Sequence, residues 1–151
     1  MTENVHGTAV LIGATGALIR GESGSGKSRL ACALIARGAR LVADDRVIVS
    51  QCHGRLVAGG PAAIAGRLEV RGSGLVAVPF ERWAVLRLVV DLADGQAIER
   101  LPEEPELWTE LCGVRLARQP VAIGDAAAPF LVETAALAAH GRQSAWLLRS
   151  P

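Results

Sequence analysis

Tyrosine is absent from this 151-residue chain, which has only two phenylalanines and three tryptophans. Its core must therefore be built largely from Leu, Val, Ile and Ala. Cysteine is scarce too: Cys32, Cys52 and Cys112 are odd in number and not closely paired. That excludes a disulfide framework or a zinc knuckle as the organising device, and it suits reduced, mostly buried thiols of a cytoplasmic protein. A charge excess is also missing. With 16 basic and 15 acidic residues the net charge is +1, whereas nucleic acid or an anionic membrane as main partner would call for a basic excess or stripe. No apolar run approaches the roughly 20 residues of a membrane span. Met1-Thr2-Glu3-Asn4 lacks the basic start and apolar core of a signal peptide. No internal repeat or low-complexity tail is present. The length predicts one domain over residues 1–151, large enough to bury a core without disulfides or metal.

What the chain does have is glycine, concentrated in Gly21-Glu22-Ser23-Gly24-Ser25-Gly26-Lys27-Ser28. This fits the phosphate-binding pattern of Gly, four residues, Gly, Lys, then Ser or Thr. Glycines let successive N–H groups turn inward toward an anion, and the helix that follows adds its positive N-terminal end. Lys27 supplies charge to the terminal phosphates of a bound nucleoside triphosphate, and Ser28 is placed to ligate the Mg²⁺ that bridges them. The context is right: residues 17–20 form a short extended run into the loop. Leu30, Ala31, Leu34 and Ile35 then recur at helical spacing before Gly38.

Upstream, residues 8–12 predict a first strand, with a turn at 13–16. His6, just ahead, reads by itself as an exposed bystander. After the helix, Arg40-Leu41-Val42-Ala43-Asp44-Asp45 predicts a strand ending in two carboxylates. Strand, loop, helix, strand is a βαβ unit, so both strands finish at one sheet edge, where ligands bind in such sheets. An acid there can hold the metal or take a proton from an attacking hydroxyl, with its neighbour bracing it; the alternative is an Asp pair opening a turn. Residues 47–49 and 56–58 predict a hairpin around His53, and Arg67, Glu69 and Arg71 stand among glycines in a further extended piece that could equally be an ordinary edge strand. Residues 85–92 predict a buried strand, and Asp94-Gly95 a hairpin joining 88–92 to 96–101. Arg100 reads alone as an exposed strand arginine. The acidic 102–106 stretch predicts a solvated loop, 115–121 another strand, and Asp125 the cap of a helix from 126 to about 140, ended by Gly141. Residues 146–148 are expected to dock on the core or on another subunit.

Taken together, His6-Gly7, the loop 21–28, Arg40-Leu41-Val42-Ala43-Asp44-Asp45 and Leu68-Glu69-Val70-Arg71-Gly72-Ser73-Gly74 stand in the order and approximate spacing of bacterial HPr kinase/phosphorylase. The chain resembles the catalytic C-terminal half of that family, without the domain that usually precedes the histidine. The resemblance implies an α/β fold, a P-loop kinase domain with a mixed, partly antiparallel sheet. It implies transfer of the γ-phosphate of ATP to a serine of HPr, a small carrier of the sugar phosphotransferase system, and in many members the reverse reaction with inorganic phosphate. It puts phosphate binding on Gly21 through Ser28 and Mg²⁺ on Ser28 and Glu69. Asp45, with Asp44 beside it, becomes the base, and His6, Lys27, Arg71 and Arg100 join the catalytic set. A homo-oligomer, a hexamer in the family, is implied as well.

Two departures stand out. Residues 79–83 are much shorter than the family's loop at that place, with Arg82 a candidate for its usual arginine. Where a segment tied to the reverse reaction usually carries arginine, Pro120-Val121-Ala122-Ile123-Gly124-Asp125 carries an aspartate. An aspartate repels phosphate, so kinase activity with weak or lost phosphorolysis is expected. The competing expectations are an ATP-sensing regulatory module without transfer, and a kinase of a small metabolite.

Overall fold

The computed structural model describes residues 2–99 and 102–147. In chain order its elements are β1 (Thr2–Ile12), β2 (Thr15–Arg20), α1 (Lys27–Ala36), β3 (Arg40–Cys52), β4 (Arg55–Gly59), β5 (Arg67–Val70), β6 (Gly74–Ala77), β7 (Trp83–Ala93), β8 (Trp108–Leu111), β9 (Val114–Ala122) and α2 (Ala128–Leu147). One mixed sheet runs in the order β2-β1-β3-β4-β7-β9-β8, and β2 also pairs with β7. That last pairing closes β2, β1, β3, β4 and β7 into a ring, from which β9 and β8 extend. β5 and β6 make a separate two-stranded sheet.

Closure follows from how β7 shares its edges. Trp83 to Leu86 pairs antiparallel with β4, Leu86 to Asp91 pairs in parallel with β2, and Leu88 to Ala93 pairs in parallel with β9. Side-chain alternation then separates two cores. Leu18, Val47, Val49, Leu56, Leu86 and Val89 belong to one buried cluster, and Val10, Ile19, Leu88 and Val90 to another that includes Leu30 and Leu34 of α1 and Val132 and Ala136 of α2. The first fills the ring; the second glues both helices to its outside. The buried Thr15 hydroxyl fixes α2 further by donating to the Ala136 carbonyl at 3.2 Å. Gly16 is required where β2 meets β7, because a Cβ there would collide with the Val85 carbonyl oxygen.

Several expectations need correction. β2 and β3 do run in the same direction, but they are not neighbours: β1 lies between them, antiparallel to both. β3 does not end at the aspartates. It continues to Cys52 and crosses the site at mid-strand. β1 is also longer than its apolar run, because pairing with β3 carries it back to Thr2 and takes in His6. The hairpin after Asp94 is absent among the described residues, since both edges of β7 are already taken. Residues Gly95–Ala97 form a short 3-10 turn instead, with Asp94 Oδ1 accepting from Gln96 N at 3.0 Å. α2 starts two residues later than expected, with Asp125 Oδ1 accepting from Ala127 N at 2.9 Å, and it passes through Gly141 to Leu147. A glycine weakens a helix interior by only about 1 kcal/mol relative to Ala, which does not force a stop. The cysteines are free, with Cys112 buried, Cys32 half-buried and Cys52 exposed. Among the described residues no helix is long and apolar enough to cross a membrane.

Candidate active site

The loop between β2 and α1 is shaped by its glycines. Gly24 and Gly26 take φ of 81° and 102°, the left-handed region that costs other residues more. Ser25 N bonds back to the Glu22 carbonyl at 3.0 Å, and Gly26 stands before the first turn of α1 without any side-chain cap. That first turn also has no acidic residue, so its positive end is not neutralised by its own side chains. The Ser25 hydroxyl is buried with no partner among the described residues. Lys27 folds over the loop, its ammonium donating to the carbonyls of Gly21 at 2.8 Å and Glu22 at 3.0 Å. This is a cradle of N–H donors with a cation at its mouth, and the donor set fits a polyphosphate.

Against the start of α1 lies β3, aimed by an irregularity. Ala9 pairs with Ala43 but Val10 with Leu41, so Val42 is an extra residue in β3. Val42 and Ala43 consequently both face the ring interior, and Asp44 falls on the helix side. There its carboxylate accepts from the Thr8 hydroxyl at 2.9 Å, the Ser28 hydroxyl at 3.2 Å and the Glu69 backbone N–H at 3.3 Å. Asp45 differs in every respect. Its φ is 67°, its side chain is 82% exposed, and it lies 3.3 Å from Nδ1 of His6. One carboxylate is thus held by three donors while its neighbour stands exposed, paired with a histidine.

The remaining expected residues are placed unevenly. β5 brings the Glu69 backbone to Asp44, with Glu69 itself exposed, and Arg71 is exposed in the turn between β5 and β6. Arg100 lies outside the described residues. Among those described, no group of three or more His, Cys, Asp and Glu side chains is gathered for a metal. Mg²⁺ fits the hard oxygens of Ser28, Asp44 and Glu69 all the same, because it is usually held by one or two carboxylates plus substrate phosphates rather than by an all-protein cage. Burial and the nearby Asp44 charge push the thiol of Cys32, on α1, up.

Four residues of this region escape sequence reasoning. Thr8 looked like an ordinary strand residue. Arg20, the last residue of β2, forms a bidentate pair with Asp91 of β7, Nε to Oδ1 at 2.8 Å and Nη2 to Oδ2 at 2.9 Å. Arg118 of β9 adds Nε to the same Oδ2 at 2.5 Å. Burial pushes the Asp91 carboxyl up, but the hydrogen bonds and charges of Arg20 and Arg118 outweigh it and hold it below the usual carboxylate range. The one clue in the sequence is a lone acid in the otherwise apolar run 88–92.

Comparison with known proteins gives these residues a family setting. Residues 1–147 match the family model described as HPr Serine kinase C-terminal domain. HPr kinase/phosphorylase of Clostridium tetani is 49% identical over 75 residues, half of this chain and a quarter of that protein. The Clostridium acetobutylicum protein of the same name is 51% identical over the same length and shares. The matched part therefore spans about a quarter of the length of these relatives. A solved structure described as the Hpr(Ser) kinase/phosphatase from Coxiella burnetii superposes with a TM-score of 0.79 at 26% identity, covering 94% of this chain and 99% of that one. The family model takes in nearly the whole chain and the fold agrees with it: the chain belongs to the HPr serine kinase C-terminal domain family.

Proposed function

We propose that this protein is an ATP- and Mg²⁺-dependent serine kinase of an HPr-like phosphocarrier, acting in the cytoplasm and as a homo-oligomer, with phosphorolysis weak or lost. The observation that carries the reading is the bond of Asp44 to the Ser28 hydroxyl at the end of the loop, with the adjacent Asp45 exposed beside His6.

The loop amides and the N-terminus of α1 bind the β- and γ-phosphates of ATP, and Lys27 trades its carbonyl partners for phosphate oxygens. Ser28, Asp44 and Glu69 would hold Mg²⁺, which supplies charge neutralisation across the phosphates when bound. Asp44, fixed by three donors, keeps Ser28 oriented. Asp45 accepts the proton of the acceptor serine as its Oγ forms a bond to the γ-phosphorus and the bond to the β-phosphate oxygen breaks, ADP leaving with the electron pair. His6 stands beside Asp45 to orient it, and Arg71 and Arg100 are assigned to the transferring phosphoryl group, for which guanidinium's fixed planar donors suit spread charge.

Asp125 supports the one-way reading. Its carboxylate accepts from Ala127 N at the start of α2, and an aspartate in place of the arginine usual in the family would repel phosphate. Transfer of labelled γ-phosphate from ATP to purified HPr-like carriers tests the proposal. Serine labelling lost in both Lys27→Ala and Asp45→Asn supports it, and tight Mg·ATP binding without labelling points to a nucleotide sensor. ATP turnover with a metabolite panel but not with the carrier points to a small-molecule kinase.

A further inference from the structure

Arg20 is bonded covalently to the first residue of the phosphate loop, so whatever holds Arg20 holds the loop's first peptide. Asp91 stands opposite it in the parallel register of β2 and β7, and grips its guanidinium with both oxygens. The packing just beyond is equally close: a Cβ on Gly21 would lie 3.2 Å from Leu92 Cβ and 2.5 Å from Ser25 Oγ. The start of the loop therefore rests on the end of β7 with no room for a side chain. The cluster extends the other way through Arg118, whose Nη1 donates to the Glu106 carbonyl at 2.7 Å. A continuous path of bonds runs from the turn at Glu104–Leu107 through Arg118, Asp91 and Arg20 to Gly21, whose carbonyl in turn holds Lys27.

The position has a chemical meaning. An acid at the end of the parallel strand next to the loop strand is placed where phosphate-loop proteins often keep a metal-holding carboxylate. Here three N–H donors from two guanidiniums occupy its oxygens. Asp91 is thus committed as a counterion, and the acid that faces Ser28 is Asp44 on another strand. Two guanidiniums sharing one carboxylate leave the cluster one positive charge in excess, at the base of a loop built for anions. Its side chains are largely enclosed, Asp91 being 18% exposed, so removal of the carboxylate leaves two like charges facing each other with little water between them.

We propose that Arg20, Asp91 and Arg118 are positioning residues for the bound nucleotide's phosphates: Asp91 clamps the strand end that launches loop 21–28 and ties it to the turn at Glu104–Leu107. The proposal rests on reading 21–28 as a nucleotide site. It gives the chain a means of transmitting a change in that turn to the phosphates without any contact between them.

The test combines hydrogen exchange with binding of a fluorescent ATP analogue in the presence of Mg²⁺, on wild type, Asp91→Asn and Arg20→Lys, with Glu81→Gln as control. Glu81 forms an exposed pair with Arg40, the first residue of β3. In Asp91→Asn, exchange at residues 20–26 should rise and affinity fall by about tenfold each, roughly the loss of one strong charged contact. Arg20→Lys should fall between, since an ammonium keeps the charge without the fork. Exchange in β1 and β4 should stay as in wild type, as should everything in the control. If Asp91→Asn does not fold, Arg118→Lys takes its place, with the same direction expected. Wild-type loop exchange and affinity in a folded variant would overturn the proposal, as would a uniform loss of protection over the whole sheet. A wild type that binds no nucleotide overturns the nucleotide reading instead, and loop exchange alone then decides the clamp.

Discussion

Thr8 and Asp44 stand directly opposite each other on β1 and β3; Thr8 is 1% exposed, and its hydroxyl donates to the Asp44 carboxylate at 2.9 Å. This partly buried bond turns one of two adjacent acids toward Ser28 and leaves the other to solvent. Replacing Thr8 by Val keeps the shape and removes the donor. We expect a loss of about 1 kcal/mol in stability, as for a typical buried hydrogen bond, and a fall in phosphoryl transfer from a less constrained Asp44. Urea unfolding together with turnover checks both, and unchanged turnover would show that Asp44 needs no such support.

Asp45 and Lys27 should separate by the step they affect. Asp45→Asn removes the proposed proton acceptor and should lower turnover by about 10²–10⁴ while Mg·ATP still binds. Lys27→Ala should weaken Mg·ATP binding itself and cut turnover by about 10²–10³. Calorimetric titration beside a transfer assay distinguishes the two patterns.

The pH dependence of stability should carry the mark of Asp91. Its folded pKa is depressed, so its contribution is complete above the unfolded carboxyl value of about 3.9 and is lost as pH falls through the lower folded value. Denaturation midpoints between about pH 5 and 2 should fall less steeply in Asp91→Asn than in wild type. Parallel curves would mean that the pair contributes nothing to acid stability.

Asp125→Arg asks whether one charge closes the reverse reaction. The variant should release pyrophosphate from phosphoserine carrier, Mg²⁺ and inorganic phosphate faster than wild type does. Rapid release by the wild type would sink the one-way reading.

Gly16 is a test of ring closure. A methyl group there meets the Val85 carbonyl oxygen, so Gly16→Ala should destabilise by about 1–3 kcal/mol, the range for overpacking a tight contact. Ala14→Gly, in the neighbouring exposed turn, should cost less.

Much of the phosphate loop was legible because its chemistry is local. Four spaced residues, an extended run before them and an amphipathic run after them together favour a strand, a turn of amides and a helix. The aspartate pair was legible as one acting acid and one bracing neighbour, but the surroundings that set the two apart were not. Their difference comes from the extra residue at Val42, the left-handed φ of Asp45 and a threonine on another strand. The false hairpin after Asp94 has a similar origin. Asp94-Gly95 is a genuine turn signal, yet β2 and β9 had already taken both edges of β7.

By itself the sequence determined what short-range forces decide: the loop, the start of α1, the apolar runs that become β3, β7 and β9, and the acids and cations available for chemistry. Tertiary structure alone decided the insertion of β1 between β2 and β3, the closure of β2 onto β7, and with them the meetings of Thr8 with Asp44 and of Arg20 with Asp91. The reason is sequence separation. Thr8 and Asp44 lie 36 residues apart and Arg20 and Asp91 lie 71 apart. A strand's alternation says which residues share a face, but not which strand will lie beside it.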